Sequence, residues 1–547
     1  MVDIKKSPFF LCDGQADWVE STLASLTREE KAGQLFCVMG GDYAPEDLRN
    51  MVAEGKIGGI LFRPVVSAGE IRKIYDGLDR LARVPLLKAA NLEEGGAGGM
   101  NDGTLFGWPM LTAATDDVQT AERFGLVCGT EGAAAGINWT FSPVCDLDLN
   151  YSNPITNVRT FGSAPDRVKA MTRAYVRSVQ GCGVAACAKH FPGDGVDYRD
   201  QHLHPTYNTL SARDWYGSYG AVYEALIEEG LMSVMVGHIG QPNVALDLNP
   251  NLTYEEAMLP ATLSKPLLTG VLRERLGFNG VITSDATIMG GYCMAMERKQ
   301  AIPASIMAGC DMLVFNTDFR EDYGYILEAL EDGRLTEERL DDAVRRILAL
   351  KAKFRTLPHN PSVPAAQWHE EAADRGITLV KNRRPEVFPM TPERYPHIRL
   401  ITLGRDAMQD GSVRDITREI LEERGFQVEV YDPVGDDLHG TRGLSQNRLT
   451  LYMANCEQAS NQTVVRLNWC PKHALDIPRF LNEEPCVFVS LANPYHLQDV
   501  PRIQALVNAY TATRTTIRLT VEKLMGRSEF RGISPVDAFC GLPDTEL

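Results

Sequence analysis

At 547 residues the chain is longer than one hydrophobic core supports, so two or three domains are expected. A composition of 44% hydrophobic and 23% charged residues is that of a soluble globular protein. A formal net charge of −17 repels nucleic acid and anionic membrane alike, and no basic run offsets it. The opening stretch "MVDIKKSPFFLCDGQADW" breaks its apolar patch with Asp and Gly before a secretory core can form. No window approaches the roughly 18 apolar residues of a spanning helix. The twelve cysteines include no CxxC pair, and Cys37, Cys145, Cys187 and Cys310 lie inside apolar runs. Reduced core thiols in a cytoplasmic protein are expected, with neither a disulfide framework nor a zinc site.

Short apolar runs, each ending in polar or Gly-rich residues, recur through the first 320 residues: 32–39, 57–63, 85–91, 137–146, 183–189, 231–238, 279–285 and 310–316. Continuous apolar character over such lengths predicts strands covered on both faces, as in parallel sheets. Helical spacing appears between them at 45–55, 68–82, 165–183 and 264–280, the last with Ser264 and Gly277 as its start and stop signals. Strand and helix alternating in this way predict a (β/α)8 TIM-type barrel over residues 1–354, closed by an amphipathic helix at 336–354. Prolines in "RTLPHNPSVPAAQW" mark a linker over 355–375. A smaller α/β sandwich domain follows over 376–547, with strands expected at 397–404, 426–432, 463–469 and 484–495 and a helix at 415–425.

Barrels of this kind hold their chemistry at the carboxyl ends of the strands. There the sequence places Asn91 with Glu94 just beyond, Asp146, Arg159 after the fourth strand, Lys189 and His190, His238, and Asp285. Just past the fifth strand Asp194, Asp197, Asp200, His202 and His204 crowd into eleven residues. Asp285 ends an apolar strand before a small turn, where a carboxylate attacks an electrophilic carbon, or caps the next helix. In a loop, the i, i+2 pair Asp200 and His202 can fold so that the carboxylate orients the imidazole and favours its protonated form, as a general acid and base requires. The same cluster reads alternatively as metal ligands or as solvated surface charge. "LEEGGAGG" lacks the Lys-Ser/Thr and GxGxxG of nucleotide-binding loops, and no cofactor is expected.

"KHFPGDG" (189–195), "DQH" (200–202), "RTFG" (159–162), "PATLS" (260–264) and "GFNGVITSDA" (277–286) together resemble glycoside hydrolase family 3, in its β-N-acetylglucosaminidase-like branch and two-domain form. The resemblance implies a retaining exo-β-N-acetylhexosaminidase that releases terminal β-linked N-acetylglucosamine through a covalent glycosyl-Asp intermediate. It makes Asp285 the nucleophile, His202 the acid/base and Asp200 its partner. Arg159, Lys189 and His190 would hold the sugar, with Asn91, Glu94, Asp146 and His238 around them, and no metal. Three departures stand out: position 194 is Asp where the family usually has His, Leu92 replaces an Asp, and "EEGGAGGMND" lacks an Arg. A β-glucosidase or other family 3 glycosidase, a phosphorolytic enzyme and a sugar-binding protein without turnover are the alternatives. The expected partner is a carbohydrate, drawn from muropeptide-derived or chito-type fragments. The second domain is read as a packing unit, a homodimer surface or a contributor to the site.

Overall fold

The computed structural model describes residues 2–355, 361–433, 441 and 444–547. Two compact units divide the chain: Met1–Phe106, Ala121–Asn153 and Pro165–Ala365 form the first, and Gly107–Thr120, Pro154–Ala164 and Ala366–Leu547 the second.

The first unit is a closed barrel of eight parallel strands. They are β1 (Phe36–Met39), β2 (Gly59–Leu61), β3 (Leu87–Ala90), β4 (Trp139–Thr140), β5 (Ala185–Phe191), β6 (Ser233–Val236), β7 (Val281–Ala286) and β8 (Met312–Val314). Each pairs with its chain neighbours, and β8 returns to β1 through Phe36↔Leu313 and Cys37↔Val314. Each falls inside one of the eight apolar runs or overlaps its end, because strands with helices outside and side chains inside have no wet face to mark with polar residues. The lumen is packed: the Trp139 indole N–H donates to Ser233 Oγ at 2.8 Å, and its ring meets Phe141 edge-on at 4.7 Å. Helices Pro45–Ala53, Ala68–Asp79, Pro165–Gly181 and Glu337–Lys353 occupy the expected positions. Helix Pro266–Arg275 starts from Lys265 rather than Ser264; Gly277 beyond it takes the left-handed backbone (φ +71°) that a stop residue needs.

The amino end of the barrel is tied by buried charge. Asp311, just before β8, accepts from Arg273 Nη2 at 2.6 Å, Arg339 Nη2 at 2.8 Å and the Ile282 N–H of β7 at 2.8 Å. Burial pulls the Arg273 guanidinium down to about 9 even with Asp311 beside it.

The second unit carries a six-stranded mixed sheet. Its strands are β9 (Thr378–Asn382), β10 (His397–Gly404), β11 (Gln427–Val430), β12 (Arg448–Asn455), β13 (Cys486–Ser490) and β14 (Ala505–Asn508), in the order β9-β14-β13-β12-β10-β11. Only β9 runs antiparallel, against β14. Two expectations change here, and one strand stands where none is expected. The run 463–469 forms no strand; Leu467 is instead buried in the core beside Phe488 and Leu497, with Trp469 packed against that cluster. The central position belongs to β12, whose Arg448 and Thr450 interrupt the apolar pattern, and whose register runs from His397↔Arg448 to Gly404↔Asn455. The stretch expected as a linker over 355–375 includes most of a helix, Ala365–Gly376, since "AAQWHEEAADRG" is rich in helix formers; residues 356–360 lie outside the described residues.

Removing the Asp311 carboxylate strands buried guanidinium groups. Asp311→Ala is expected to destabilise the barrel by about 3–5 kcal/mol, read as a lowered midpoint of urea unfolding by circular dichroism.

Candidate active site

The carboxyl end of the barrel brings one chain of buried charged groups together. Asp146, 1% exposed, accepts from the His190 main-chain N–H at 3.1 Å and the Asp194 N–H at 2.8 Å. Its Oδ2 meets His190 Nδ1 at 2.7 Å. A carboxylate in that position receives the Nδ1 proton and fixes the ring, so His190 Nε2 faces Asp285 Oδ2 at 3.9 Å. The Ala286 N–H donates to Asp285 Oδ1 at 2.7 Å. Burial acts to raise the Asp285 carboxyl, but the neighbouring ring of His190 above all, together with the Ala286 N–H, outweighs it, so the group is held below the ordinary carboxylate range.

Asp200 and His202 lie on the loop after β5. Their pairing is direct: His202 Nδ1 to Asp200 Oδ1 is 2.6 Å, and the His202 N–H donates to the same oxygen at 2.8 Å. Asp200 is buried and His202 half-buried. The loop rests on the turn that follows Asp285. Gly290 N–H donates to His202 O at 2.8 Å and Gly291 N–H to Gln201 O at 3.0 Å. A Cβ at Gly290 would lie 2.3 Å from Leu203 O, and one at Gly291 2.9 Å from Gln201 O. Only glycines permit this approach, and it docks the Asp200–His202 loop against the turn that follows Asp285. Behind the turn Arg298 holds Thr287 O at 3.0 Å while gripping Asp322 with Nε and Nη2.

The other members of the crowded loop do not converge as ligands. Asp197 receives Arg199 and the Tyr207 N–H, His204 is exposed, and no group of three His, Cys, Asp or Glu residues is assembled for a metal ion among the described residues. Asp194 is buried and receives Gly195 N–H at 2.7 Å, Asn153 Nδ2 at 2.8 Å and Gln201 Nε2 at 3.2 Å.

Lys189, buried at the end of β5, forms its ion pair with Glu93 and donates to Asn91 Oδ1 at 3.3 Å. The expected set names Glu94 rather than Glu93. Glu94 is half-buried, and its main-chain carbonyl accepts from Phe106 N–H at 2.7 Å. His238 is saturated: Nε2 donates to Ala286 O at 2.9 Å, and Nδ1 lies 2.8 Å from Thr262 Oγ1. Burial lowers its ring to about 4, so it is neutral and braces the end of β7. Arg159 lies on the segment 154–164, which groups with the second unit, and its Nη1 donates to Ile155 O at 3.4 Å.

The barrel with its second mixed sheet is shared by known proteins. The model of the glycosyl hydrolase family 3 N-terminal domain matches residues 27–350. The chain belongs to glycoside hydrolase family 3. A family 3 relative from Cellulomonas fimi, named beta-N-acetylglucosaminidase/beta-glucosidase, is 41% identical over the full length of both chains. Among solved structures, one named beta-glucoside phosphorylase BglX superposes with a TM-score of 0.93 at 42% identity, covering 99% of each chain. A family 3 beta-N-acetylglucosaminidase from Paenibacillus sp. str. FPU-7 superposes with a TM-score of 0.78 at 24% identity, covering 95% of this chain and all of its own. Family 3 enzymes of this group act on carbohydrate, and the chain is a glycoside hydrolase related to β-N-acetylglucosaminidases and β-glucosidases. Among the described residues no helix is long and apolar enough to cross a membrane.

Glu93, Asn153, Gln201 and the contacts of the Gly290–Gly291 turn escaped the sequence reading, which shows only that a small turn follows Asp285. Gln201 carried one signal, its place between two residues already singled out; the others act through contacts 40 or more residues away in the chain, such as Asn153 with Asp194.

His238 gives a signed pH dependence. Its ring falls from an ordinary 6.5 to about 4 on folding, so between those values the unfolded chain binds a proton that the folded chain refuses. Stability therefore decreases as pH drops from about 6.5 to about 4. His238→Gln removes that contribution and is expected to flatten the slope of the urea midpoint against pH in this window.

Proposed function

We propose that the protein is a retaining exo-acting β-N-acetylhexosaminidase with Asp285 as nucleophile and His202, oriented by Asp200, as acid/base. One observation carries the reading: the Asp200–His202 pair is docked, through two main-chain hydrogen bonds, on the turn that follows Asp285. Retaining hydrolysis needs a nucleophile and a proton donor on opposite sides of one anomeric carbon. In the first step an Asp285 oxygen forms a bond to C1, the C1–O bond to the leaving group breaks, and His202 Nε2 gives its proton to the departing oxygen. In the second, His202 Nε2 takes a proton from water as the water oxygen bonds to C1 and the Asp285 carboxylate leaves. Asp200 stabilises the imidazolium in both directions. Lys189, Glu93, Asn91 and His190 serve as sugar-hydroxyl contacts, with Glu94 and Asp146 in supporting places. The substrates are muropeptide-derived or chito-type fragments, and all twelve cysteines are unpaired, as a cytoplasmic setting favours.

The decisive experiment is turnover of an aryl N-acetyl-β-glucosaminide against the aryl β-glucoside. Asp285→Asn and His202→Ala are each expected to lose at least about 10²-fold in kcat; near wild-type turnover in either removes the assignment. Preference for the glucoside moves the reading to a β-glucosidase.

A phosphorolytic second step is supported by two observations. A relative aligned over the whole chain is named a phosphorylase, and an imidazole acid/base leaves no negative charge after giving up its proton. A phosphate oxygen then meets less repulsion at C1 than it would beside a carboxylate. In that step the C1–Asp285 bond breaks as phosphate bonds to C1, and the product is sugar 1-phosphate. Phosphate-dependent turnover with a sugar 1-phosphate signal in phosphorus NMR is the expected result of this alternative; water-derived product alone dismisses it.

A further inference from the structure

Gln201 sits between the two members of the acid/base pair and is held from three sides. Its Oε1 accepts the His238 N–H at 2.7 Å, its main-chain carbonyl accepts the Gly291 N–H at 3.0 Å, and its Nε2 donates to Asp194 Oδ2 at 3.2 Å. The first contact comes from the end of β6 and the second from the turn after Asp285. The third comes from the residue at which this chain carries Asp where family 3 usually has His. Gln201 is fully buried and Asp194 2% exposed, so no water replaces a lost contact easily.

Every donor and acceptor in this cluster has its direction fixed from outside. His238 N–H can only donate, so Gln201 must present Oε1 to it and Nε2 to Asp194. Gly195 N–H can only donate to Asp194 Oδ1. Asn153 Nδ2 donates to Asp194 Oδ1 at 2.8 Å and to the Asp197 carbonyl at 2.8 Å, so its amide cannot turn over either. Position 194 must therefore accept on both oxygens, which an ionised carboxylate does and an amide or imidazole does not. The Tyr219 hydroxyl pins the turn by donating to Asp194 O. Burial and the charge of Asp146 lift the Asp194 carboxyl to about 6, with His190 opposing, so it stays largely ionised at neutral pH.

We propose that Asp194 is a positioning residue that acts through Gln201 to hold the Asp200–His202 pair against the turn of Asp285. The proposal rests on His202 as the acid/base, and its test separates the two.

Asp194→Asn sets its amide nitrogen against Gln201 Nε2, and no rotation of either amide relieves the clash. Gln201→Glu sets two carboxylates against each other. The double variant Asp194→Asn/Gln201→Glu satisfies every partner again, with the charge moved from position 194 to position 201: the new carboxylate accepts from both the His238 N–H and the new side-chain amide. Each single variant is expected to lose about 10²-fold in kcat/KM on a glycoside with a poor leaving group and only about tenfold on a dinitrophenyl glycoside, whose departure needs little proton transfer. The double variant is expected to recover to within about tenfold of wild type on both. Recovery of folding together with turnover, where a single variant does not fold, is the same result. A double variant that stays inactive or unfolded overturns the proposal, as does a single variant that loses equally on both substrates where His202→Ala does not. His202→Ala, measured alongside, tests the acid/base reading alone: equal loss on both substrates removes that reading, while the rescue pattern still decides the role of Asp194.

Discussion

An ionised carboxylate in a water-poor pocket is the constraint around which the barrel mouth is organised. Burial alone raises the Asp285 carboxyl toward its protonated form, which is a poor nucleophile. The ring of His190 above all, together with the Ala286 N–H, reverses that tendency, and each ring around the carboxylate is itself held. Asp146 anchors His190, Asp200 anchors His202, and His238 is fixed by Ala286 O and Thr262. Buried charge is tolerated only when it is paired and hydrogen-bonded. The crowding of ionisable residues just past β5 follows: the charge at the end of β7 is balanced largely from the end of β5.

Loops ordinarily trade order for mobility. The loop after β5 departs from that rule because Asp194, Asp200 and Gln201 are buried and each is hydrogen-bonded. Asp197 takes Arg199 and the Tyr207 N–H, and Asn153 ties Asp194 to the Asp197 carbonyl. Such a matched network fixes geometry well and tolerates single changes poorly, since each loss leaves a buried donor or acceptor unmade. The Gly290–Gly291 turn completes the arrangement by presenting two N–H groups where any side chain would intrude on the loop.

The two ends of the barrel divide the work as barrels of this architecture do. At the amino end Asp311 and its arginine partners join β7 and β8 through buried charge-assisted bonds. At the carboxyl end Lys189 and Glu93 form a second buried ion pair, but there Asn91 beside them is exposed, and Asp285 and His202 are not fully covered. The first arrangement suits stability and the second suits contact with a ligand.

The eight barrel strands were legible because strands buried on both faces are uniformly apolar, and the ends of β5 and β7 were legible because Lys189, His190 and Asp285 interrupt that character abruptly. The pair Asp200 and His202 was legible from spacing, since two residues of loop suffice to bring them into contact. Strand β12 was hidden by Arg448 and Thr450, whose polar groups are answered by Glu429 and Glu484 respectively. A linear pattern cannot show those answers. In the same way, the choice of Glu93 over Glu94 as partner of Lys189, the grouping of Arg159 with the second unit and the clamp on Gln201 depend on contacts that only folding makes. The sequence by itself determined which segments are buried and which residue types stand at the strand ends, because burial and periodicity are local properties. Only the tertiary structure decided which of those residues face one another and in which protonation state, because pairing and desolvation are set by neighbours that folding alone supplies.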